Sequence, residues 1–145
     1  MERFIGAWRL VAFEEDAPDG RVVYPYGKDA TGLLIYDSSG HMSVQIMRRD
    51  RESLFSPVMR DPAEELKNLV AGFTAFFGTY EIDDTGNIVT HHVNGHILPD
   101  SVGKILRREF TFSGNLLTLK PSPNRRVTWE RIATRPATGD CAASS

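Results

Sequence analysis

The feature that most constrains this chain is a hairpin pattern in residues 78–93. Two runs rich in β-branched and aromatic residues flank the tight-turn sequence Asp-Thr-Gly-Asn, which is typical of a connection between antiparallel strands. Whether the loop has two residues or four, the register places Tyr80 opposite His91. Ile82 then opposes Val89 on the same apolar face, because side chains alternate along a strand. We therefore expect a phenol and an imidazole side by side on the wall of an apolar interior, with Cβ atoms about 5 Å apart.

A second hairpin is predicted around residues 37–41. In a three-residue loop, Gly40 suits the left-handed backbone position. That register opposes Tyr36 with Met42, and it places Leu34 on the same inward face. A four-residue loop would reverse the faces of the second strand, and the sequence is compatible with either loop length.

A third hairpin is predicted with the Ser-Gly pair at residues 113–114 as its two-residue loop. This register opposes Phe110 with Leu117. It also opposes Arg108 with Leu119, which puts a guanidinium on an apolar face. A buried guanidinium without a partner is costly and usually marks a carboxylate, a carbonyl or an anionic ligand. The alternative is a kinked strand that lets Arg108 reach solvent at the rim of a barrel.

One helix is predicted, over residues of about 62–77. Asp61 suits the N-cap, Pro62 the first helical position, and Glu64 completes the start signal three residues after the cap. Apolar residues then recur at helical spacing until Gly78. We expect this apolar stripe to close one side of the fold rather than to bind a partner.

Strands are also predicted at both ends of the chain, over residues 6–13, 21–26 and 126–132, the last with Trp129 facing inward. Successive short strands joined mostly by hairpins predict an all-β fold. The expected architecture is an up-and-down antiparallel β-barrel of about 8–9 strands, because closure removes exposed sheet edges.

Size and charge limit the function classes. The chain has 145 residues and a formal net charge of −2, which fits one domain and gives no basic field for nucleic acid. No apolar run is long enough to cross a bilayer, and the start lacks the apolar core of a signal peptide. The single cysteine, Cys141, cannot form an internal disulfide. We expect a cytoplasmic protein with a barrel domain at residues 1–132 and a disordered tail at 133–145.

Short motifs are spread over nearly the whole chain as far as Ile132. They are found at residues 6–14, 24–27, 32–36, 40–45, 77–81, 89–93 and 116–119. Together they resemble the intracellular lipocalin-like domain family, whose fold is a calycin-type β-barrel. In the family pattern, a Gly-x-Trp in the first strand, here Gly6-Ala7-Trp8, packs against an arginine from a late strand. The resemblance assigns Arg131 to that position.

The resemblance also implies a cavity for a small, largely apolar molecule. Some lipocalin-like barrels act as cyclases or isomerases in natural-product pathways, with the substrate folded inside the barrel. The family pattern has a polar side chain two residues before Arg108, where this chain has Leu106. That difference implies a ligand preference of its own.

Three inward residues are the candidates for catalysis: Tyr80, His91 and Arg108. Imidazole titrates near neutrality, and a phenol can donate to a developing oxyanion. The alternative is a structural pair in which His91 only satisfies the Tyr80 hydroxyl. The residues predicted to contact a ligand are Leu34, Tyr36, Met42, Val89, Phe110 and Trp129, although core packing is the more frequent role of such side chains.

Two functions are therefore predicted. The first is a cofactor-free acid/base isomerase or cyclase that acts on a polyketide-like or terpenoid-like substrate. The second is a non-catalytic carrier of a lipophilic metabolite. A barrel filled by its own side chains, serving as an interaction domain, is a third alternative, and a homodimer is left open.

No metal or other cofactor is predicted. His91, His92 and His96 lie close in sequence, but adjacent strand residues point to opposite faces. No Cys, Asp or Glu completes a set at ligand spacing. The chain also lacks a phosphate-binding glycine loop and a nucleophile motif.

Overall fold

The computed structural model describes residues 2–51 and 61–134. Its strands form one antiparallel sheet, accompanied by one α-helix and one short 3₁₀ helix. The strands are β1 (Gly6–Asp16), β2 (Val22–Val23), β3 (Thr31–Tyr36), β4 (His41–Met47), β5 (Phe73–Asp83), β6 (Ile88–His96), β7 (Ile105–Ser113), β8 (Leu116–Ser122) and β9 (Arg125–Arg131). The helices are α1 (Pro62–Ala71) and the 3₁₀ helix Pro99–Ser101.

The sheet closes on itself because β1 pairs with both β3 and β9. Trp8 opposes Arg131 across this closure, and the arginine guanidinium lies 4.3 Å from the indole ring centre. The barrel therefore has eight strands, and β2 is an additional short strand paired with the end of β1. The predicted up-and-down antiparallel barrel is confirmed, whereas the predicted strand at 21–26 is reduced to Val22–Val23.

The central hairpin has the predicted register. Tyr80 opposes His91 and Ile82 opposes Val89, around a four-residue loop between Asp83 and Ile88. In the β3–β4 hairpin, Tyr36 opposes Met42 and Leu34 opposes Val44. Gly40 has a φ of 86°, as the three-residue loop requires. The three-residue alternative is therefore the one that forms.

The predicted register of the β7–β8 hairpin is wrong by two residues. Phe110 opposes Leu119 rather than Leu117. The loop residues are Gly114 and Asn115, and the φ of 59° at Gly114 is typical of the first position of a type II′ turn. Because a shift of two keeps every side chain on its face, Arg108 still faces the interior.

The predicted helix is too long at its C-terminal end. Asp61 caps α1 as expected, since its side chain accepts a hydrogen bond from the Ala63 amide, but the helix ends at Ala71. Phe73 already pairs with Met47 of β4, so the backbone N–H and C=O groups that follow the helix form hydrogen bonds with β4. The helix buries none of its residues, and Leu66 is exposed, so the predicted closure of one side of the barrel by α1 is also wrong.

In the described ranges, neither α1 nor any other helix is long and apolar enough to cross a membrane. The predicted disordered tail at 133–145, with Cys141, lies almost wholly outside the described residues.

The two ends of the barrel differ. At one, which we call the closed end, tight loops follow β3, β5 and β7, and Phe4 packs edge-on against Tyr36, Phe110 and Phe112. At the other, the open end, the connections after β1, β4 and β6 are longer. The core thus fills the closed end and leaves room for a site at the open end.

Candidate ligand-binding site

A cavity of about 280 Å³ lies within the barrel and reaches the open end. Apolar side chains from β3, β4, β8 and β9 supply much of its wall, including Leu34, Val44, Leu119 and Val127. Its size is near the lower end of the range for small-molecule sites, and its mainly apolar wall with several polar groups fits such a site.

A buried hydrogen bond joins β3 and β6 beside the cavity. The Tyr36 hydroxyl oxygen and His91 Nε2 lie 2.6 Å apart, and both side chains are buried. Burial lowers the pKa of His91 to about 3, with a further contribution from the positive charge of Arg108. Burial likewise raises the pKa of Tyr36 well above its ordinary value. The pair is therefore neutral at neutral pH.

Arg108 lines the same cavity from β7 and is half-buried. Burial lowers its pKa, while the neighbouring Tyr36 acts in the opposite direction. Its one hydrogen bond to the described part of the chain is a long contact of 3.5 Å from Nη1 to the Arg107 carbonyl. No carboxylate within residues 2–51 and 61–134 forms an ion pair with it. The guanidinium is thus a partly desolvated cation without a counter-anion in that part of the protein.

Two side chains that line the cavity, His91 and Trp129, each carry a buried nitrogen without a hydrogen-bond partner among the described residues. These atoms are His91 Nδ1 and Trp129 Nε1. Leu106, which opposes His91 on the neighbouring strand, offers no polar group. Buried polar atoms are nearly always paired in folded proteins, so these two atoms are notable.

A family model of the lipocalin-like domain matches residues 5–136. The chain belongs to this lipocalin-like domain family. No match is found among curated proteins. A lipocalin-like barrel with an internal cavity suggests small-molecule binding.

The lipocalin-like domain brings together some of the predicted catalytic residues. His91 and Arg108 both line the cavity. Tyr80 does not line it, although it opposes His91 in the sheet. Its hydroxyl instead donates to the Asp37 carbonyl oxygen at 2.7 Å, in the loop of the closed end. The hydroxyl partner of His91 is therefore Tyr36, and the catalytic roles stay predictions.

The six predicted ligand contacts are all buried and all belong to the hydrophobic core. Leu34 and Trp129 also line the cavity. The other four are not among the lining residues: Tyr36, Met42, Val89 and Phe110. Tyr36 still acts on the site through its hydrogen bond to His91.

Sequence reasoning missed the residues that line the open end, among them Tyr26, His96, Lys104 and Arg125. His96 stacks on Phe76 with ring centres 5.4 Å apart. The order of the strands could have indicated that these residues lie together. In an up-and-down barrel, the connections after β1, β4, β6 and β8 must emerge at one end of the sheet, so residues beside them meet around one opening.

Within the described residues, no group of three His, Cys, Asp or Glu side chains is arranged to hold a metal ion.

Proposed function

We propose that this lipocalin-like domain binds a small, largely apolar molecule inside the barrel and acts as its carrier or sequestering protein. The observation that carries the proposal is the cavity of about 280 Å³, whose apolar wall is interrupted by a few polar groups. A barrel filled by its own side chains, the structural alternative, would have no such space.

A cavity-filling substitution tests this proposal. Val44 lines the cavity and is 5% exposed, whereas Val11 is 48% exposed and is not a lining residue. An environment-sensitive apolar dye should bind the wild-type protein with one-to-one stoichiometry. Val44→Phe should weaken dye binding about tenfold or more, which corresponds to about 1.4 kcal/mol. Val11→Phe, the matched control, should leave dye affinity unchanged.

Two results would contradict carrier function. One is the absence of stoichiometric dye binding by the folded wild type. The other is equal dye affinity in Val44→Phe and Val11→Phe, with circular dichroism showing that both variants fold.

A second candidate is the cofactor-independent acid/base isomerase or cyclase of natural-product biosynthesis, acting on a polyketide-like or terpenoid-like substrate. The presence of Arg108 and the Tyr36–His91 pair at one cavity supports it, since a guanidinium can polarise a carbonyl group. The lowered pKa of His91, about 3, weighs against it. An imidazole with so low a pKa is a weak general base at neutral pH. We therefore favour carrier function.

Conversion of a β,γ-unsaturated ketone to its conjugated isomer, followed by ultraviolet absorbance, tests for acid/base isomerase activity. If the protein is an enzyme of this type, His91→Phe should lower turnover by about 10²-fold or more. Arg108→Met should weaken substrate binding as well as turnover. The carrier proposal expects altered affinity only. Unchanged turnover in Tyr80→Phe, His91→Phe and Arg108→Met would exclude the predicted catalytic set.

A further inference from the structure

The charges that surround the cavity differ from those of the whole chain. The formal net charge of the protein is −2. The lining residues nevertheless include Lys104, Arg108 and Arg125, and none of the lining side chains is a carboxylate. Arg125 at the open end forms an ion pair with Glu15, whereas Lys104 forms none with the described residues. The cavity therefore has a positive bias in a slightly acidic protein, and this bias favours an anion.

The hydrogen bond between Tyr36 and His91 leaves one nitrogen of the imidazole unpaired among the described residues. The neutral imidazole of His91 carries one proton, on either Nδ1 or Nε2. If Tyr36 donates its hydroxyl proton to Nε2, only Nδ1–H is left without a partner. The opposite tautomer would leave both the Tyr36 proton and the Nδ1 lone pair unpaired within the described residues. The first arrangement satisfies more groups, and it makes His91 Nδ1 a donor.

The cavity wall then carries more hydrogen-bond donors than acceptors. Indole Nε1 of Trp129 can only donate, and so can the guanidinium of Arg108. His91 Nδ1 and Trp129 Nε1 are themselves fully buried in the wall, so the Arg108 guanidinium is the donor that a ligand in the cavity can reach. A ligand oxygen would accept hydrogen bonds from this guanidinium, and a negative charge would offset the cost of its partial burial.

We infer that the ligand is an amphipathic carboxylate, whose carboxylate oxygens accept hydrogen bonds from Arg108 while its apolar body fills the rest of the cavity. A carboxylate fits the planar guanidinium fork with two parallel hydrogen bonds. This inference rests on the proposed function and specifies the class of molecule that the carrier takes.

Matched acid and neutral probes test the inference. One pair is decanoate and decanol, and the other is 2-naphthoate and 2-acetylnaphthalene, each titrated as a competitor of the bound apolar dye. Wild-type protein should bind the acid about tenfold or more tightly than its neutral counterpart in at least one pair, as expected for a charge-assisted hydrogen bond. Lack of preference for the acid in both pairs would overturn the inference. If the dye binds in that case, the carrier proposal stands; if the dye does not bind, both fail.

Adjacent arginines provide the matched variants. Arg108→Met should remove the preference for the acid and leave the affinity for the neutral probe nearly unchanged, because a methionine replaces the stem but not the charge. Arg107 is exposed on the outer face of the same strand, so Arg107→Met should keep the preference. Equal loss in the two variants would assign the effect to overall charge and would contradict an internal site.

A second variant keeps the test valid if Arg108→Met does not fold. Arg108→Lys keeps the positive charge and most of the stem but removes the planar fork that makes two parallel hydrogen bonds. It should weaken binding of the preferred acid about threefold to tenfold, the range for one lost hydrogen bond, with little effect on the neutral probe. An equal effect of Arg108→Lys on acid and neutral probes would count against a hydrogen bond from Arg108 to the ligand.

Discussion

The closed and open ends of the barrel are built on the same strands but differ in how their polar groups are paired. Trp8 and Trp129 are similarly buried, at 1% and 2% exposed. The indole N–H of Trp8, at the closed end, donates to the Phe4 carbonyl oxygen at 2.9 Å. That of Trp129, on the cavity wall, has no partner within the described residues. The two indoles are therefore similarly buried, but only the Trp8 N–H has a hydrogen-bond partner among the described residues.

Two arginines show the same contrast. Arg131 lies over the Trp8 ring and donates to the Ile5 carbonyl oxygen at 2.8 Å and to that of Arg3. It thereby ties the N-terminal segment to the end of β9. Arg108 has only a long contact with its neighbour's carbonyl group. The two ends of the barrel therefore differ in hydrogen-bond pairing: the compared residues of the closed end are paired, and those on the cavity wall are poorly paired with the described residues.

The largest expected effect is at the closed end, on removal of the Phe4 ring. Phe4 is 1% exposed and packs edge-on against three aromatic rings. Phe4→Ala should lower the free energy of unfolding by about 3–5 kcal/mol, the range for a phenylalanine removed from a packed core. Urea unfolding followed by tryptophan fluorescence measures it.

Phe77 is the control for this substitution, since its ring covers Gly95 on the outer face and is 57% exposed. Phe77→Ala should cost no more than about 1 kcal/mol, in proportion to the smaller area it buries. Similar costs for Phe4→Ala and Phe77→Ala would mean that the closed end is not a packed core.

Two leucines on neighbouring strands compare the ends directly. Leu117 is 0% exposed and is not a cavity-lining residue, whereas Leu106 borders the cavity. Leu117→Ala should cost about 2–5 kcal/mol because it opens a new void in close-packed surroundings. Leu106→Ala only enlarges an existing space, and we expect a cost of about 1 kcal/mol. Equal costs in urea unfolding would show that the cavity walls are packed as tightly as the closed end.

Much of the fold could be predicted because its signals are local or lie at the two chain ends. Turn residues fixed the central hairpin, and the Gly6-x-Trp8 strand with Arg131 indicated where the barrel closes. The end of the helix could not be predicted in the same way. Phe73, Phe76 and Phe77 fit helical spacing, and only pairing with β4 makes them part of a strand. That pairing is a tertiary contact, which a local pattern does not contain.

The candidate site was harder to predict than the fold. Strand alternation is enough to place His91 and Arg108 on the inward face. It does not give the direction of a side chain beyond its Cβ atom. Tyr80 is the neighbour of His91 in the sheet, yet the imidazole reaches the hydroxyl of Tyr36 on β3 instead. A contact between strands that are not paired depends on the curvature of the closed barrel and on the rotamers that packing selects.

The neutral state of His91 predicts a pH effect on stability. Its pKa is about 3 in the folded protein, compared with an ordinary value of 6.5. Between these values the unfolded state binds the extra proton, so stability falls as pH decreases from about 6.5 towards 3 and is fully present above 6.5. At about 1.4 kcal/mol per pH unit, the loss from this histidine between pH 7.5 and pH 5.0 is about 2 kcal/mol.

His91→Gln removes the titrating group and keeps a side chain that can hydrogen-bond to the Tyr36 hydroxyl. Urea unfolding of both ligand-free proteins at the two pH values should show a loss that is smaller in the variant by about 2 kcal/mol. Carboxylates titrate in both proteins, so their contribution cancels in the comparison. Equal losses would show that His91 is not held neutral by burial.

The smallest expected effect is the loss of a single hydroxyl group from Tyr80 or from Tyr36. Their rings are in contact, with centres 4.7 Å apart, but the Tyr80 hydroxyl bonds to the Asp37 carbonyl oxygen of the closed end while the Tyr36 hydroxyl bonds to His91 beside the cavity. Tyr80→Phe should cost about 1 kcal/mol of stability, the usual value of one hydrogen bond, without changing dye affinity. Tyr36→Phe should cost a similar amount and should change dye affinity as well, because it leaves both nitrogens of a cavity-lining imidazole unpaired. Denaturant unfolding and dye titration of the two variants measure these quantities side by side. If Tyr80→Phe changed dye affinity as much as Tyr36→Phe, Tyr80 would belong to the binding site and not only to the closed end.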